Sequence, residues 1–214
     1  MRLVSVNLAS ELRLLVEGRR KLTGFDKRPV SGRVEVGREG LDGDAIASKR
    51  HHGGPGQAVY LYTREDYAWW SHELGRPLGP GAFGENLTIE GLESATLAIG
   101  DRFEVGPDVL LEVTSPRIPC DTLALRMGDP RFLKRFVDAE RPGAYARVLQ
   151  GGTVGAGDTL MLRPADGPSL PLLDGARLFW DRKAPESELR AALAAPLAER
   201  FRADIEKRLA RLAS

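Results

Sequence analysis

Residues 115 to 123, SPRIPCDTL, place the chain's single cysteine, Cys120, in a frame of two prolines and an arginine. Pro116 and Pro119 disfavour helix and hold their neighbours extended, so the thiol comes at the end of a kinked path. Helical spacing resumes directly after it, through Asp121, Thr122 and Leu123. A cysteine at a helix start has its thiolate favoured by unpaired N–H groups, and Arg117, three residues back, adds positive charge. Such a group can act as a nucleophile or as a soft metal ligand. The plain alternative is a small apolar residue in the core.

A second stretch, SKRHHGGPGQ over residues 48–57, collects Lys49, Arg50, His51 and His52 beside exposed backbone. Adjacent histidines on a strand point to opposite faces, so a shared zinc ion is a poor fit. Pro55 offers no N–H, and the lysine spacing of a phosphate loop is absent. What remains is either a basic surface turn or an anion site. In the second case Lys49, Arg50 and His52 give charge-assisted bonds, and Gly53 and Gly54 let backbone approach the ligand. A third stretch, PGAFGENLTIEGL (80–92), offers Asn86 as donor and acceptor and Glu85 as a base, or else is a turn into a strand. Asp44, in GLDGD, is a further carboxylate able to hold a proton.

The elements that must position these residues read mostly as short strands. LVSVNLA and LRLLVEG look like an opening strand pair, followed by GRVEVG (32–37) and AVYLYT (58–63). In TREDYAWWSHELG the period changes to that of a helix, with Thr63 and Asp66 forming a capping box and Gly75 ending it. Tyr67, Trp69 and Trp70 on that helix are packing residues. Strands return in NLTIEG, DRFEVG and VLLEVT, with recurring Gly-Asp turns. No strand–helix–strand rhythm supports a parallel sheet, so a closed or nearly closed antiparallel barrel is expected. Residues 121–143 carry helical spacing broken at Gly128, and LMLRP closes the β part. The fold class is thus mainly β with α: a barrel with attached helices over residues 1–165, then a linker and small helical module over 166–214. In the module, SELRAALAA and PLAERFRADIEKRLARL are amphipathic helices, the second opened by Pro196. Their apolar stripe can face the barrel or a partner chain.

Composition bounds the ligands. Of the 214 residues, 31 are Lys or Arg and 30 are Asp or Glu, so no global charge draws the chain to nucleic acid or to a membrane surface. Anion binding has to be local. No apolar run approaches the roughly 20 residues that cross a bilayer. One cysteine excludes an internal disulfide and fits a reducing compartment, so a cytoplasmic protein is expected.

Taken together, GLDGD, KRHHGGPGQAVYLYTREDYAWW, PGAFGENLTIEGL, IGDRFEVG and SPRIPC resemble the YiiM-like branch of the MOSC-domain family, from about residue 20 to residue 162. The helical tail is similar to the three-helix module that follows this domain in the same branch. The resemblance implies a β-barrel binding the molybdenum cofactor, a phosphate-bearing pterin dithiolene, with Cys120 as the protein ligand to the metal. It implies reduction of N-hydroxylated compounds, such as hydroxylamino-purines or amidoximes, with electrons from a separate donor protein. On this reading Lys49, Arg50, His52, Gly53, Gly54, Asn86 and Arg117 hold the cofactor together with Cys120. The proton donor is sought among His52, Asp44 and Thr122, with His52 preferred for its pKa. Where many relatives carry an aromatic residue and a lysine after the cysteine, this chain has Asp121 and Thr122. Two other readings stay open: a cofactor carrier or sulfur-transfer module without turnover, and a metal-free interaction protein. A homodimer is also open.

Overall fold

Alternation of buried and exposed side chains builds the first strands, and the chain's turns decide how they pair. The computed structural model describes residues 1–17, 19–45 and 53–213, with backbone alone over 14–17 and 19–22. The strands of the first half are β1 (Arg2–Leu8), β2 (Arg13–Glu17), β3 (Arg19–Thr23), β4 (Arg28–Pro29), β5 (Arg33–Gly37), β6 (Gly40–Leu41) and β7 (Val59–Thr63). After helix α1 (Arg64–Glu73) come β8 (Leu87–Glu90), β9 (Ala98–Ile99), β10 (Arg102–Val105) and β11 (Val109–Pro116). Helices α2 (Asp121–Met127) and α3 (Phe132–Asp138) precede β12 (Ala144–Gln150), β13 (Gly152–Gly155), β14 (Leu160–Arg163) and β15 (Leu170–Pro171). The chain ends in α4 (Leu172–Trp180), α5 (Glu186–Ala192) and α6 (Glu199–Leu212).

Eight strands form one sheet in the order β14-β10-β11-β12-β7-β8-β1-β4. It curls until its ends approach: Arg2 bridges Thr159, and Leu3 N donates to Asp158 O at 2.8 Å. The nearly closed, mainly β architecture is therefore as the sequence suggests, with three differences. LVSVNLA and LRLLVEG are not partners, because β1 pairs with β8 and β4 while β2 turns back on β3. The strand–helix–strand rhythm is present once: β7, α1 and β8 form a parallel crossover pairing Leu61 with Leu87. One unit in a long antiparallel series leaves no repeating pattern to read. The second tail helix begins at Glu199, since Pro196 and Leu197 give their carbonyls to Arg147 rather than to a helical turn.

Thr63 caps α1 by accepting from Asp66 N at 3.1 Å, but the box is only half made. The Asp66 carboxylate is fully buried and bonds instead to Arg141 Nη1 (2.7 Å) and Ser94 N (3.2 Å). Gly128, in the left-handed region at φ 67°, ends α2 where the helical spacing breaks.

The core is two apolar clusters. The larger runs through the sheet from Leu3 and Val6 to Phe103 and Leu111 and continues without interruption into Leu178, Leu189, Phe201 and Ile205 of the tail helices. The apolar stripe of the tail thus packs back on the sheet. Arg208 holds it there by donating to Leu178 O and Asp181 O, the carbonyls at the end of α4, at 2.5 and 2.6 Å. The end of the proline-punctuated segment is itself ordered into the sheet region, as Leu170 and Pro171 pair with Ile99 and Ala98. The second cluster is aromatic. Tyr62, Tyr67, Trp70, Phe83, Phe132 and Phe136 pack α1, α3 and the loop before β8 into one block, in line with the packing role given to Tyr67 and Trp70. Trp69 lies half-buried at its edge, under the Arg141 guanidinium at 5.1 Å.

Candidate functional site

Strand β11 delivers Arg117 and Cys120 to one end of the sheet. Beyond Pro116 the segment stays extended, with Arg117 and Pro119 buried and Ile118 and Cys120 half-exposed, the alternation of an extended chain. Cys120 is the N-cap of α2, with φ −133° and ψ 167°, and its carbonyl accepts from Leu123 N. The thiol therefore stands at the junction the prolines define, half open to solvent. Thr122 lies buried in the first turn behind it.

Arg117 is the unusual member. It is 3% exposed, and its Nη1 donates to Phe83 O at 3.0 Å. The guanidinium lies 5.0 Å from the ring centres of both Phe25 and Tyr60, within the range of cation–π attraction. Nε and Nη2 have no hydrogen-bond acceptor among the described residues. Burial works against its charge, but the neighbouring Tyr145, Tyr60 and Cys120 outweigh that and raise its pKa further. Arg117 is thus a buried cation near the Cys120 thiol, with two N–H groups that meet no acceptor at hydrogen-bond geometry among the described residues. Each unmet buried donor costs about 1–3 kcal/mol, set against the bond to Phe83 O and the contacts with two rings.

A second charged group sits across from it. Lys27 and Asp44 form an ion pair in which the side chains are 9% and 6% exposed. Asp44 Oδ2 also accepts from Asn86 Nδ2 at 2.9 Å, and its Oδ1 from Ala9 N at 3.0 Å. Burial pulls the Lys27 pKa below the ordinary lysine range, opposed by Asp44 and by the nearby Glu85. Asn86 is fixed between strands: its Oδ1 accepts from Tyr60 N (3.2 Å), its backbone N donates to Tyr60 O, and its carbonyl accepts from Asn7 N. The sequence places Asp44 and Asn86 among the site residues, and the structure brings these two into direct contact.

Lys27 was not singled out from the sequence, because GFDKRPV reads as an ordinary charged turn. The available signal is geometric rather than compositional. Gly81, at φ 85°, brings its Cα against the Lys27 carbonyl so closely that no side chain fits between them. The loop at 80–86 and the segment at 25–27 are thereby clamped together.

Glu85 is fully buried in that loop and acts as its fastener. Its Oε1 accepts from Gly81 N (2.6 Å), Thr88 Oγ1 (2.7 Å) and Tyr67 Oη (2.7 Å), while Oε2 has no partner among the described residues. Burial raises its pKa above the usual carboxylate range. Of the two roles considered for FGEN, the geometry assigns Glu85 to holding the turn.

Lys49, Arg50, His51 and His52 lie outside the described residues. Gly53 and Gly54, which follow them, both have positive φ, 74° and 83°. Nothing lies within 4 Å of where a Gly54 side chain would begin, so backbone conformation and not crowding explains the glycine there. Gly54 and Asp44 line the same open cleft of about 880 Å³. Gln57 N then donates to Gly54 O, turning the chain into β7. Among the described candidates, Lys27, Asp44 and Asn86 are in direct contact and Arg117 is close enough to Lys27 to act on its charge, while Asp44 and Gly54 line one cleft and Arg117 lines another cavity with Pro119, Phe136 and Trp180. Among the described residues no three His, Cys, Asp or Glu side chains form a metal-ligating group. No helix among them is long and apolar enough to cross a membrane.

Comparison with known proteins identifies the family and the fold. The YflK protein of Bacillus subtilis is 35% identical over 210 residues, covering 98% of this chain and 95% of its own. A protein of Gibberella moniliformis called a reductase is 35% identical over 180 residues, which are 82% of this chain but 32% of that protein. The crystal structure of YiiM from Geobacillus stearothermophilus superposes with a TM-score of 0.79 at 28% identity, over 97% of this chain and 98% of that one. The sequence profile of the MOSC domain matches residues 48–161, the span that carries Gly53, Gly54, Asn86, Arg117 and Cys120. The chain is a member of the MOSC domain family.

Proposed function

We propose that the protein is a molybdenum-cofactor-dependent reductase of N-hydroxylated compounds. The observation that carries this is Arg117: a buried cation with two unpartnered N–H groups, next to a half-exposed cysteine. MOSC domains are associated with the molybdenum cofactor, and the donor set fits it. A soft thiolate suits molybdenum, and cations suit an anionic pterin phosphate.

On this reading Cys120 is the protein ligand. Arg117 would offer Nε and Nη2 to the anionic cofactor, and Lys49, Arg50, His52, Gly53, Gly54 and Asn86 would hold the rest of it. When bound, the cofactor supplies two-electron cleavage of an N–O bond. Conversion of N–OH to N–H with release of water consumes two electrons and two protons. The electrons come from a separate donor protein, since one cysteine cannot hold an iron–sulfur cluster. Asp44, which lines the cleft and is held by Lys27 and Asn86, is one candidate for holding a proton there. His52 and Thr122 remain candidates for the final transfer to substrate. A relative called a reductase supports the reaction class.

The test is expression in a host that makes the cofactor, alongside Cys120→Ala, with anaerobic purification. Near-stoichiometric molybdenum and pterin are expected in the wild type, with metal diminished in the variant. Turnover of N-hydroxylated bases with a chemical reductant is then expected of the wild type alone. Loading without turnover would make the protein a carrier. Neither metal nor pterin, in a host that loads a control molybdoenzyme, would refute the proposal.

A further inference from the structure

Strand β11 carries a bulge at Thr114. Val113 pairs with Ala146 and Ser115 with Tyr145, so two steps along β11 face one along β12, and Thr114 is left out of the ladder. An extra residue of this kind is free to aim its polar groups away from the neighbouring strand. Thr114 is fully buried, and its carbonyl and hydroxyl each serve a distant segment. The carbonyl accepts from Ala198 N at 3.0 Å, where the tail enters α6. The hydroxyl donates to Gly56 O at 2.6 Å, with Tyr145 O also at 3.2 Å.

The turn that Thr114 holds is the one that follows Gly53 and Gly54. Pro55–Gln57 form a single tight turn, closed by Gln57 N donating to Gly54 O at 2.9 Å. Gln57 adds a second tie, from Nε2 to Ser115 Oγ at 2.9 Å. Glu199, next to Ala198, sets its carboxylate against the Cα of Gly56. Two successive residues of β11 thus bind the turn, and the start of α6 covers it. Glycines have more backbone freedom to lose than other residues, so Gly53 and Gly54 depend on such ties to keep one shape. The same strand runs on to Arg117, three residues past Thr114, and to Cys120, six past it.

We propose that Thr114 is a positioning residue: its hydroxyl holds the Gly53–Gly54 turn in register with the Arg117–Cys120 segment, so that both hold one ligand at once. That this ligand is the molybdenum cofactor rests on the reductase reading. The bulge is then what joins the two halves of the site, and the tail takes part by fixing the Thr114 carbonyl.

Thr114→Val keeps the shape of the side chain and removes the donor, whereas Thr114→Ser keeps the donor. The first readout is amide hydrogen exchange in the cofactor-free full chain. In Thr114→Val, exchange over residues 53–57 should quicken at least about tenfold, while exchange in α4 stays as in wild type. The turn is loosened and not lost, because Gln57 keeps its bond to Ser115. Thr114→Ser should exchange as wild type does. The second readout is loss of pterin from loaded protein after dilution. It should be at least about tenfold faster in Thr114→Val, or pterin absent from the outset, and close to wild type in Thr114→Ser. Unchanged exchange over 53–57, equal quickening in α4, or a Thr114→Val that fails to fold would overturn the proposal, since the hydroxyl would be idle or generally structural. A loosened turn with pterin retained as in wild type would overturn it too. If wild type takes up no pterin, the cofactor reading falls, and the exchange comparison still decides whether Thr114 fixes the turn.

Discussion

Removing the Asp44 carboxylate should cost far more than its one ion pair suggests. Asp44→Ala strands the Lys27 ammonium at 9% exposure and leaves the Asn86 amide and Ala9 N–H without their acceptor. Breaking a buried pair from one side costs about 3–5 kcal/mol, a large part of a domain's stability. Lys27→Met removes the cation but leaves the carboxylate its bonds from Asn86 and Ala9, so the loss falls to about 1.5–3 kcal/mol. The double variant contains neither buried charge. Its cost should fall short of the sum of the two single costs by about 1.5–3 kcal/mol, the coupling of the pair. Urea unfolding followed by tryptophan fluorescence at neutral pH measures all four corners. A midpoint shift of about 1–2 M is expected for Asp44→Ala, given typical dependence on urea. Single losses that simply add, to within about 0.5 kcal/mol, would show that the pair is solvated and refute the argument.

Two other outcomes follow from groups left partly unsatisfied. Burial raises the Glu85 pKa, so the folded protein holds that proton more tightly than the unfolded chain does. Stability from this source is fully present below about pH 4.5 and is lost as pH rises through the folded pKa. Glu85→Gln should therefore gain on the wild type as pH rises out of the carboxylate range; a difference in unfolding free energy that stays flat from pH 4 to 8 would contradict this. Arg117→Met exchanges two unmet donors for an apolar chain between Phe25 and Tyr60, and loses one bond to Phe83 O. Stability should stay within about 1.5 kcal/mol of wild type or rise, because one lost hydrogen bond is set against relief of two idle ones. Molybdenum and pterin content should fall in the same preparation. A variant that unfolds readily would make Arg117 a structural residue.

The strands and caps were legible because they are local. Two-residue alternation marks GRVEVG and DRFEVG, and Thr63 with Asp66 marks the start of α1. The proline frame also told correctly where Cys120 would stand. What the sequence hid depends on residues far apart. Asp66 is a plausible capping acid until Arg141, 75 residues later, takes its carboxylate. Lys27 gains its meaning only from Asp44 and from Gly81, which no periodicity connects. The pairing of β1 with β8 likewise joins residues as far as 88 positions apart, Arg2 and Glu90. Glu85 illustrates the same limit in reverse: an acid before a strand suggests chemistry, and three short hydrogen bonds to its own loop and neighbours make it a fastener.

The meeting of Arg2 with Thr159 also sets an order of assembly. During synthesis β1 leaves the ribosome long before β8, and longer still before the turn that leads into β14. The partners of Lys27, Asp44 and Arg117, namely Ala9, Asn86, Phe25, Tyr60 and Phe83, are all made well before that turn. Contacts this distant in sequence form slowly, and domains are made at about 5–20 residues per second. The buried charges can therefore be enclosed before the sheet closes, whereas the edge of β1 that meets Thr159 waits for the last strands. A nascent chain spends seconds with that edge unpaired.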